Sequence, residues 1–475
     1  YPSYKPPMPK ITIHFSTSFG FEGIYPPLAD SLKKHSLNEF VLGSKGLLEL
    51  FELHLGLFQE DAQNAIRNAY YKRAVNKALN ENPNLYFANS FELDDWHSSR
   101  QLLLWRDELQ LSMYDFKCAD PSERRLYALS CIEKHVTDLP LGVNDRWLEV
   151  MHQLGIQNFS LIKRISVYQP EQSLHPFFIQ LFDKLKQNGC ALDYLEAVYP
   201  PPQSTDLGHL HNGLKNPGND KVKTLADNSL LILRGANNDY LANAVAHYIK
   251  HSSAPPLVYI QEHGDVLDIA LSQQGLPALG YMSQNEGNSI SQLFHLIALF
   301  LWDPLNAEQL VQYLLLPTAP LSREFRAALA EAYASKSGID NESWNKAVQD
   351  FYVNADPGTV DKQKNQYASL LMRKRYNPKL GAPSADVIHL YTFLAKWASA
   401  FGANTDDSQL RKNLESLQNQ CKSLIEVIEM EAIDIVLPLQ LHKWLNDIDE
   451  PGLSARSPGE AGHISYVTDP ANVVE

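Results

Sequence analysis

The sequence predicts a mixed α/β fold with two parallel-sheet modules, each interrupted by helices. Short apolar strands followed by amphipathic helices recur in two parts of the chain, which is the pattern of parallel sheets. Long stretches that show only helical periodicity separate these strand–helix units. The chain has 475 residues, more than a single hydrophobic core usually supports, so we expect several packed modules.

The first module is predicted to cover residues 1–225. Its first strand is residues 10–15, a β-branched alternating run that ends in small polar residues. Ser44 and Gly56 are placed as the N-cap and the C-terminal stop of a helix, and a second helix is predicted at about 61–79. The polar face of that second helix carries Arg67, Lys72, Arg73 and Lys77. The remaining elements are predicted in the order strand 85–90, a helix capped by Asp94 or Asp95, a helical insert at about 110–163, strand 164–168 and helix 176–187.

The second module is predicted to start after a linker at 199–221, which is rich in Pro, Gly, Asn and Asp. Residues 226–288 form its first part, with strands at 230–233 and 256–260. Helices are predicted after both strands, at 240–250 and near 266–274.

A larger helical domain is predicted to interrupt the second module. Residues 289–450 show helical periodicity almost throughout. Residues 451–475 are predicted to return to the second module, because 463–467 again have an extended pattern.

The charge balance and the cysteines argue against a protein that binds nucleic acid over its whole surface, a zinc protein and a disulfide-rich protein. Lys and Arg number 41 against 55 Asp and Glu, a net charge of -14, so contact with nucleic acid must be local. The four cysteines have neither the spacing of a zinc site nor that of a disulfide framework. No signal peptide or membrane-spanning run is visible, so we expect a cytoplasmic protein.

An ATP-driven motor needs a glycine-rich loop with a lysine after the first strand, and that motif is missing. Residues 16–23 occupy the place, lack lysine and put Glu22 where a phosphate would be repelled. The strand at 164–168 is the best placed to end in a Mg²⁺-binding acid, yet Gln169 and Pro170 follow it. We therefore predict that the chain binds no ATP and contains no catalytic, metal or cofactor site of its own.

Several short motifs resemble, in their order and spacing, proteins of the AddB/RexB family. Residues 43–57 resemble the family's opening GP-x-GLL-x-LE…LGL, and residues 89–109 resemble its segment SFE-x-DPW…R…L-x-WRDEL. Residues 275–280 and 301–305 are similar to its elements GLPA-x-G and LW-x-PL. The series is completed by LLLP at 314–317, GAP at 381–383 and VTDP at 467–470.

The resemblance implies two RecA-like modules with helical insertions, the plan of superfamily 1 helicases of the UvrD type. It implies an inactivated helicase-like region of a RecB-family exonuclease that serves bacterial DNA repair and recombination. The expected ligand is DNA in single-stranded form, and the expected partner is an active helicase or nuclease subunit. The family's PD-(D/E)XK nuclease domain, with its Mg²⁺, would follow Glu475.

Nucleic-acid contact is predicted first at Trp96, Arg100, Trp105 and Arg106. These residues follow the strand predicted at 85–90. In the helicase plan the residues after this strand face single-stranded DNA, where aromatic rings stack on bases and arginines bind phosphates. The alternative is that the two tryptophans are core anchors of an amphipathic helix and that Arg106 pairs with a neighbouring carboxylate.

The densest basic run is a second candidate for nucleic-acid contact, and it contains Arg373, Lys374, Arg375 and Tyr376. The alternative for this run is a solvated helix end. Arg234, at the end of a predicted strand, would either touch DNA or brace the interface between the modules.

The sequence alone leaves two other functions open. One is a protein-interaction scaffold that does not touch DNA, which the acidic net charge favours. The other is an active helicase with an unconventional phosphate loop. His209 and His211 could bind a metal, but without a nearby Cys or acidic cluster we interpret them as solvated linker residues.

Overall fold

The structure is a computed structural model, and it divides the chain into two compact units. Unit 1 comprises residues 1–59, 146–283 and 456–475, and unit 2 comprises residues 60–145 and 284–455. The structure describes residues 10–17, 38–57, 62–156, 161–194, 204–215, 224–252, 258–261, 263–277, 279, 289–336, 338–339, 341–448 and 466–467.

The described residues form short strands and many helices. The strands are β1 (Ile11–Phe15), β2 (Glu39–Leu42), β3 (Ile162–Val167), β4 (Ala191–Tyr194), β5 (Val258–Tyr259), β6 (Ala382–Pro383), β7 (Ile435–Val436) and β8 (Tyr466–Val467). The helices are α1 (Ser44–Leu55), α2 (Asn64–Glu81), α3 (Ala88–Leu93), α4 (Asp95–Leu111), α5 (Arg124–Glu133), α6 (Val143–Ile156), α7 (Pro176–Gln187), α8 (Asp206–Lys215), α9 (Asn238–His251), α10 (Gly264–Gln273), α11 (Ser289–Leu296), α12 (Ala307–Leu315), α13 (Arg323–Ser335), α14 (Glu342–Asn354), α15 (Pro357–Leu370), α16 (Ser384–Gly402), α17 (Ser408–Glu431) and α18 (Pro438–Ile448), with 3₁₀ helices at Glu171–Ser173 and Ile297–Leu301.

Unit 1 contains a four-stranded parallel sheet with the strand order β2-β1-β3-β4. The central strand β1 is almost wholly buried, including His14, although an alternating sequence is typical of a strand with one solvated face. Phe15 of β1 packs against Phe178 and Phe182 of α7, with ring centroids 5.6 and 5.2 Å apart. Trp147 of α6 joins the same aromatic group at 5.3 Å from Phe178. The predicted mixed α/β character and the parallel sheet are thus present.

Local signals placed several elements of unit 1 correctly. The predicted strand at 10–15 is β1, and the predicted helix at 176–187 is α7, whose first residue is Pro176. Gly56 ends α1 with a φ of 72°, a left-handed conformation that glycine adopts without steric strain. Ser44 is the first residue of α1, so Gly43 takes the N-cap position that had been predicted for Ser44.

Three predicted elements differ from the structure. Residues 85–90 are not a strand, because α3 begins at Ala88, and Phe87 at its N-cap and Phe91 within it both pack into the same core. Residues 230–233 form no strand, and the apolar side chains of Leu231, Ile232 and Leu233 are exposed. The predicted linker at 199–221 contains α8.

Helix α8 is capped both by the residue before it and by distant residues, and the Thr205 hydroxyl accepts from the Gly208 backbone N–H at 3.1 Å. Its first N–H groups, of Asp206 and Leu207, donate to the side chains of Asp227 and Ser229, which lie about twenty positions further along. The Asp206 carboxylate in turn accepts from the backbone N–H of Leu225. The Thr205 cap is a local signal for the start of a helix, whereas the contacts with residues 225–229 have no local sequence signal.

A second sheet in unit 1 joins distant parts of the chain. Strand β5 pairs in parallel with β8, so residues on both sides of the long helical stretch lie in one sheet. Helices α9 and α10 pack on each other beside β5, with a small core that includes Ala246, Ile260 and Leu271.

Unit 2 is predominantly helical. One core collects apolar residues of α11, α12, α13, α16, α17 and α18, together with Ala65 and Ala69 of α2. Inside it, the Trp344 indole donates to the Tyr367 hydroxyl at 2.8 Å, and Phe325 stacks on Phe351 at 4.2 Å. A second core lies among α2, α3, α4 and α5. Within the described part of the chain, every helix is too short or too polar to cross a bilayer.

Candidate functional site

The order of the strands marks one place in unit 1 where a ligand could bind. From the adjacent central strands β1 and β3, the next strands in sequence lie on opposite sides, β2 beside β1 and β4 beside β3. The carboxyl ends of β1 and β3 therefore form a topological switch point, the usual binding place in open parallel sheets.

A neutral amide occupies the described part of this switch point. The side-chain oxygen of Gln169 accepts from the Thr17 backbone N–H at 2.7 Å, the Thr17 hydroxyl at 2.9 Å and the Ser16 hydroxyl at 3.1 Å. A nucleotide motor requires a carboxylate here to bind Mg²⁺. Gln169, which follows β3, instead forms hydrogen bonds with Ser16 and Thr17, which follow β1. Residues 18–23 of the predicted phosphate loop lie outside the described residues.

Strand β1 also carries a buried histidine, His14, near its carboxyl end. The His14 Nδ1 atom is 3.0 Å from the Tyr168 hydroxyl, and its Nε2 atom is 3.7 Å from the Glu39 carboxylate. Burial lowers the pKa of His14, although the Glu39 carboxylate acts in the opposite direction. Burial also raises the pKa of Tyr168. Burial of both side chains therefore favours their uncharged forms.

The first nucleic-acid candidate, Trp96, lies in the core of unit 2. Its side chain is 2% exposed, and its indole N–H donates to the Asp447 carboxylate at 2.5 Å. The ring also meets Trp444 edge to face at 6.1 Å. Arg100 pairs with the second oxygen of Asp447 at 2.6 Å and stays 37% exposed. Trp96 thus has the contacts of a core anchor, and Arg100 is accessible at its edge.

Arg106 is 5% exposed and belongs to a buried network of ion pairs. It contacts Asp145 at 2.7 Å, Asp107 at 3.0 Å and Glu133 at 3.3 Å. Although burial acts to lower it, the pKa of Arg106 is raised above its ordinary value by these carboxylates. Arg67 bridges Asp107 and Asp145 at 2.5 and 2.9 Å. In this conformation the Arg106 guanidinium is enclosed by carboxylates and out of reach of a phosphate.

Trp105 has intermediate exposure on the same helix, α4. It packs against the second core of unit 2, and the Arg125 guanidinium lies 5.3 Å from its ring centroid. The structure therefore does not bring the four α4 candidates together on one accessible surface. The contacts of Trp96 and Arg106 are those of the alternative interpretation, core packing and internal pairing.

The basic run lies between α15 and β6, and residues 372–379 are called the basic segment below. Its backbone is held at Tyr376, whose N–H donates to Leu301 O at 2.7 Å and whose carbonyl accepts from Asp303 N at 2.8 Å. Tyr376 also donates its hydroxyl to the Asp386 carboxylate. This part of the segment is therefore anchored to the body of unit 2.

The basic side chains of this segment divide into two kinds. Arg373 donates to Asp386 O at 2.9 Å and Arg375 donates to Leu371 O at 2.7 Å, so both are partly engaged. Burial lowers the pKa of Arg373. Lys374 and Lys379 are exposed, and the Lys374 ammonium lies 5.0 Å from the Tyr376 ring centroid. The segment thus presents cations and a ring from an anchored backbone.

Arg234 lies in the exposed irregular stretch before α9. Leu231, Ile232 and Leu233 beside it are 60%, 80% and 43% exposed. Arg234 is accessible to a ligand, but the strand that was predicted to position it is not formed.

One polar cluster was missed by sequence reasoning. Lys72 of α2 was predicted on a polar face, yet it is buried and pairs with Glu431 at 2.5 Å and Asp95 at 2.6 Å. Burial raises the pKa of Glu431, although the Lys72 ammonium acts in the opposite direction. The cluster borders a pocket of about 180 Å³ that Trp96 also lines. Lys72 and Glu431 are 359 positions apart, so no local pattern could have indicated their pairing.

The described residues contain no group of three or more His, Cys, Asp or Glu side chains arranged to hold a metal ion. His209 and His211, the histidines considered from the sequence, lie in α8. No protein-family model and no curated protein matches the chain.

Proposed function

We propose that the chain is a helicase-like DNA-binding scaffold without a working ATPase motor, built from two RecA-like modules with helical insertions. The parallel sheet of unit 1 and the neutral Gln169 at its switch point support the loss of the motor. By the resemblance of its motifs, the scaffold would serve a DNA repair exonuclease and pair with an active helicase subunit. The DNA contact is proposed at the basic segment.

The observation that carries this proposal is the anchored backbone of the basic segment. Exposed lysines on a mobile chain would lose side-chain and backbone entropy when they bind. Here the hydrogen bonds of Tyr376 to Leu301 and Asp303 have already ordered part of the backbone. Lys374 and Lys379 can then meet phosphates, while the Tyr376 ring offers an aromatic contact.

Reversing the charge of Lys374 and Lys379 together is expected to weaken binding of a labelled single-stranded oligonucleotide by about tenfold or more at low salt. Because each phosphate contact on a single strand contributes about 0.7 to the salt dependence, the slope should fall by about 1.4. Fluorescence anisotropy over a series of salt concentrations measures both quantities. The variant is Lys374→Glu with Lys379→Glu.

The matched control is Lys336→Glu with Lys346→Glu, two exposed lysines elsewhere in unit 2, because it makes the same change in net charge. The control should bind nearly as tightly as the parent chain. Equal weakening in both double variants would contradict a local contact and would indicate a general effect of charge.

A second candidate function is a protein-interaction scaffold that does not bind DNA. The observation that favours it is the apolar stripe of α8, where Leu207, Leu210 and Leu214 are 52%, 45% and 74% exposed. The net charge of -14 acts in the same direction, because it repels nucleic acid at a distance. Absence of oligonucleotide binding by the parent chain at low salt would favour this function over the first.

ATP with Mg²⁺ is expected to leave the thermal unfolding temperature of the chain unchanged. A ligand present at a hundred times its Kd adds about 2.7 kcal/mol to stability, which is readily detected. Gln169 offers an amide in place of the Mg²⁺-binding carboxylate, so no such gain is expected. Differential scanning fluorimetry with Mg²⁺ alone as the control makes the measurement. A rise specific to ATP would favour an active helicase instead.

A further inference from the structure

Helix α9 carries two histidines with a distinctive spacing. His247 and His251 are the only pair among the 16 histidines of the chain separated by four positions. One turn of an α-helix places such residues on the same face, one above the other. Both side chains are exposed, and their ring centroids are 4.3 Å apart at an interplanar angle of 44°.

The hydrogen bonding of His251 suits a metal ligand. Its Nδ1 atom lies 2.8 Å from the backbone carbonyl oxygen of His247, which can only accept a hydrogen bond. Neutral His251 therefore carries its proton on Nδ1 and keeps the lone pair of Nε2 for a ligand. Metal-binding histidines usually have this arrangement, in which a carbonyl or carboxylate fixes the other ring nitrogen.

The position on the helix also favours a cation. His251 is the last residue of α9, and the C-terminal end of a helix carries a partial negative charge. The neighbouring Lys250 is held away, because its ammonium donates to Gln274 O at 2.8 Å. The distance of the rings is suitable too, since two imidazoles on one metal at about 2.0–2.1 Å have centroids roughly 4–5 Å apart.

We propose that His247 and His251 form a surface site for a divalent transition metal of the Ni²⁺, Cu²⁺ and Zn²⁺ class. Imidazole is a preferred ligand of these ions, whereas Mg²⁺ and Ca²⁺ require oxygen. The described residues supply no third His, Cys, Asp or Glu to the pair. Water completes the coordination, so the site is open and exchanges its metal readily. A plain ring contact without metal affinity is the competing explanation.

Titration of the full chain with Ni²⁺, monitored by isothermal titration calorimetry, tests the site. The parent chain is expected to bind Ni²⁺, and His247→Gln or His251→Gln should each weaken this binding by about tenfold or more. His54→Gln is the matched control, because His54 is exposed and its Nδ1 atom contacts Leu50 O at 2.9 Å without a second histidine one turn away. It should retain parental binding.

Protection of the two histidines from diethylpyrocarbonate by Ni²⁺, read by peptide mass spectrometry, tests the parent chain without any substitution. Protection at His247 and His251 but not at His54 supports the proposal. Equal Ni²⁺ binding in all three variants, or modification of the pair unaffected by Ni²⁺, overturns it.

Discussion

Replacement of Arg106 by methionine is expected to lower the free energy of unfolding of unit 2 by about 3–5 kcal/mol. Arg106 and Arg67 face three carboxylates, those of Asp107, Asp145 and Glu133, in a network that is largely buried. Without Arg106, Arg67 would be the single arginine left in a network of three carboxylates. Glu133 would lose its arginine, and Asp107 and Asp145 would share Arg67 alone, which is strongly destabilising for carboxylates in a largely buried network.

Arg100→Met on the same helix is the control for Arg106→Met. Arg100 is more than a third exposed, so solvent screens its pair with Asp447, and Trp96 still donates to that carboxylate. Urea unfolding gives the free energies, and hydrogen exchange in α4 and α5 locates the change. A stability close to that of the parent chain, with reduced oligonucleotide binding, would contradict the buried network and restore Arg106 as a DNA contact.

The parts of the fold that the sequence predicted correctly depend on neighbouring residues. Strand β1 has a β-branched alternation, and α7 has a proline at its first position and an apolar face with Phe178 and Phe182. Asp94 caps α4 as predicted, through its contact with the His97 backbone N–H. Each of these signals lies within one or two turns of the element that it specifies.

The errors arise where distant residues decide the structure. Tyr86 and Phe87 are aromatic, which favours a strand, but Phe87 and Phe91 pack into a helical core. Arg67 and Lys72 were predicted on the polar face of their helix. Both are buried, since α2 lies between carboxylates that arrive from other helices.

The prediction of the candidate site was limited in the same way, because distant residues decide whether a side chain is buried. A tryptophan and an arginine on an amphipathic helix satisfy the sequence requirements of a DNA contact and of a core anchor equally well. For Trp96 the deciding partner is Asp447, which lies 351 positions away. The basic segment was found because a dense run of cations is local, but its anchoring to Leu301 and Asp303 was not visible in the sequence.

Replacement of Arg146 by methionine is expected to destabilise unit 1 by about 3–5 kcal/mol. Its guanidinium donates from Nε and Nη2 to the two oxygens of Glu52 at 2.7 and 2.5 Å, and the side chains are 5% and 2% exposed. The loss would leave the buried Glu52 carboxylate without its arginine, in a helix whose Phe51 ring packs on Trp147. Hydrogen exchange in α1 and α6 measures the change within this unit.

The double variant Arg146→Met with Glu52→Leu distinguishes a stranded charge from a lost contact. Because it removes both charges and keeps apolar volume, most of the stability should return. Arg164→Met provides the exposed comparison, since Arg164 and Asp193 are 54% and 48% exposed and their pair should matter little. If the double variant were as unstable as Arg146→Met, the defect would come from packing around Trp147, and the electrostatic explanation would be wrong.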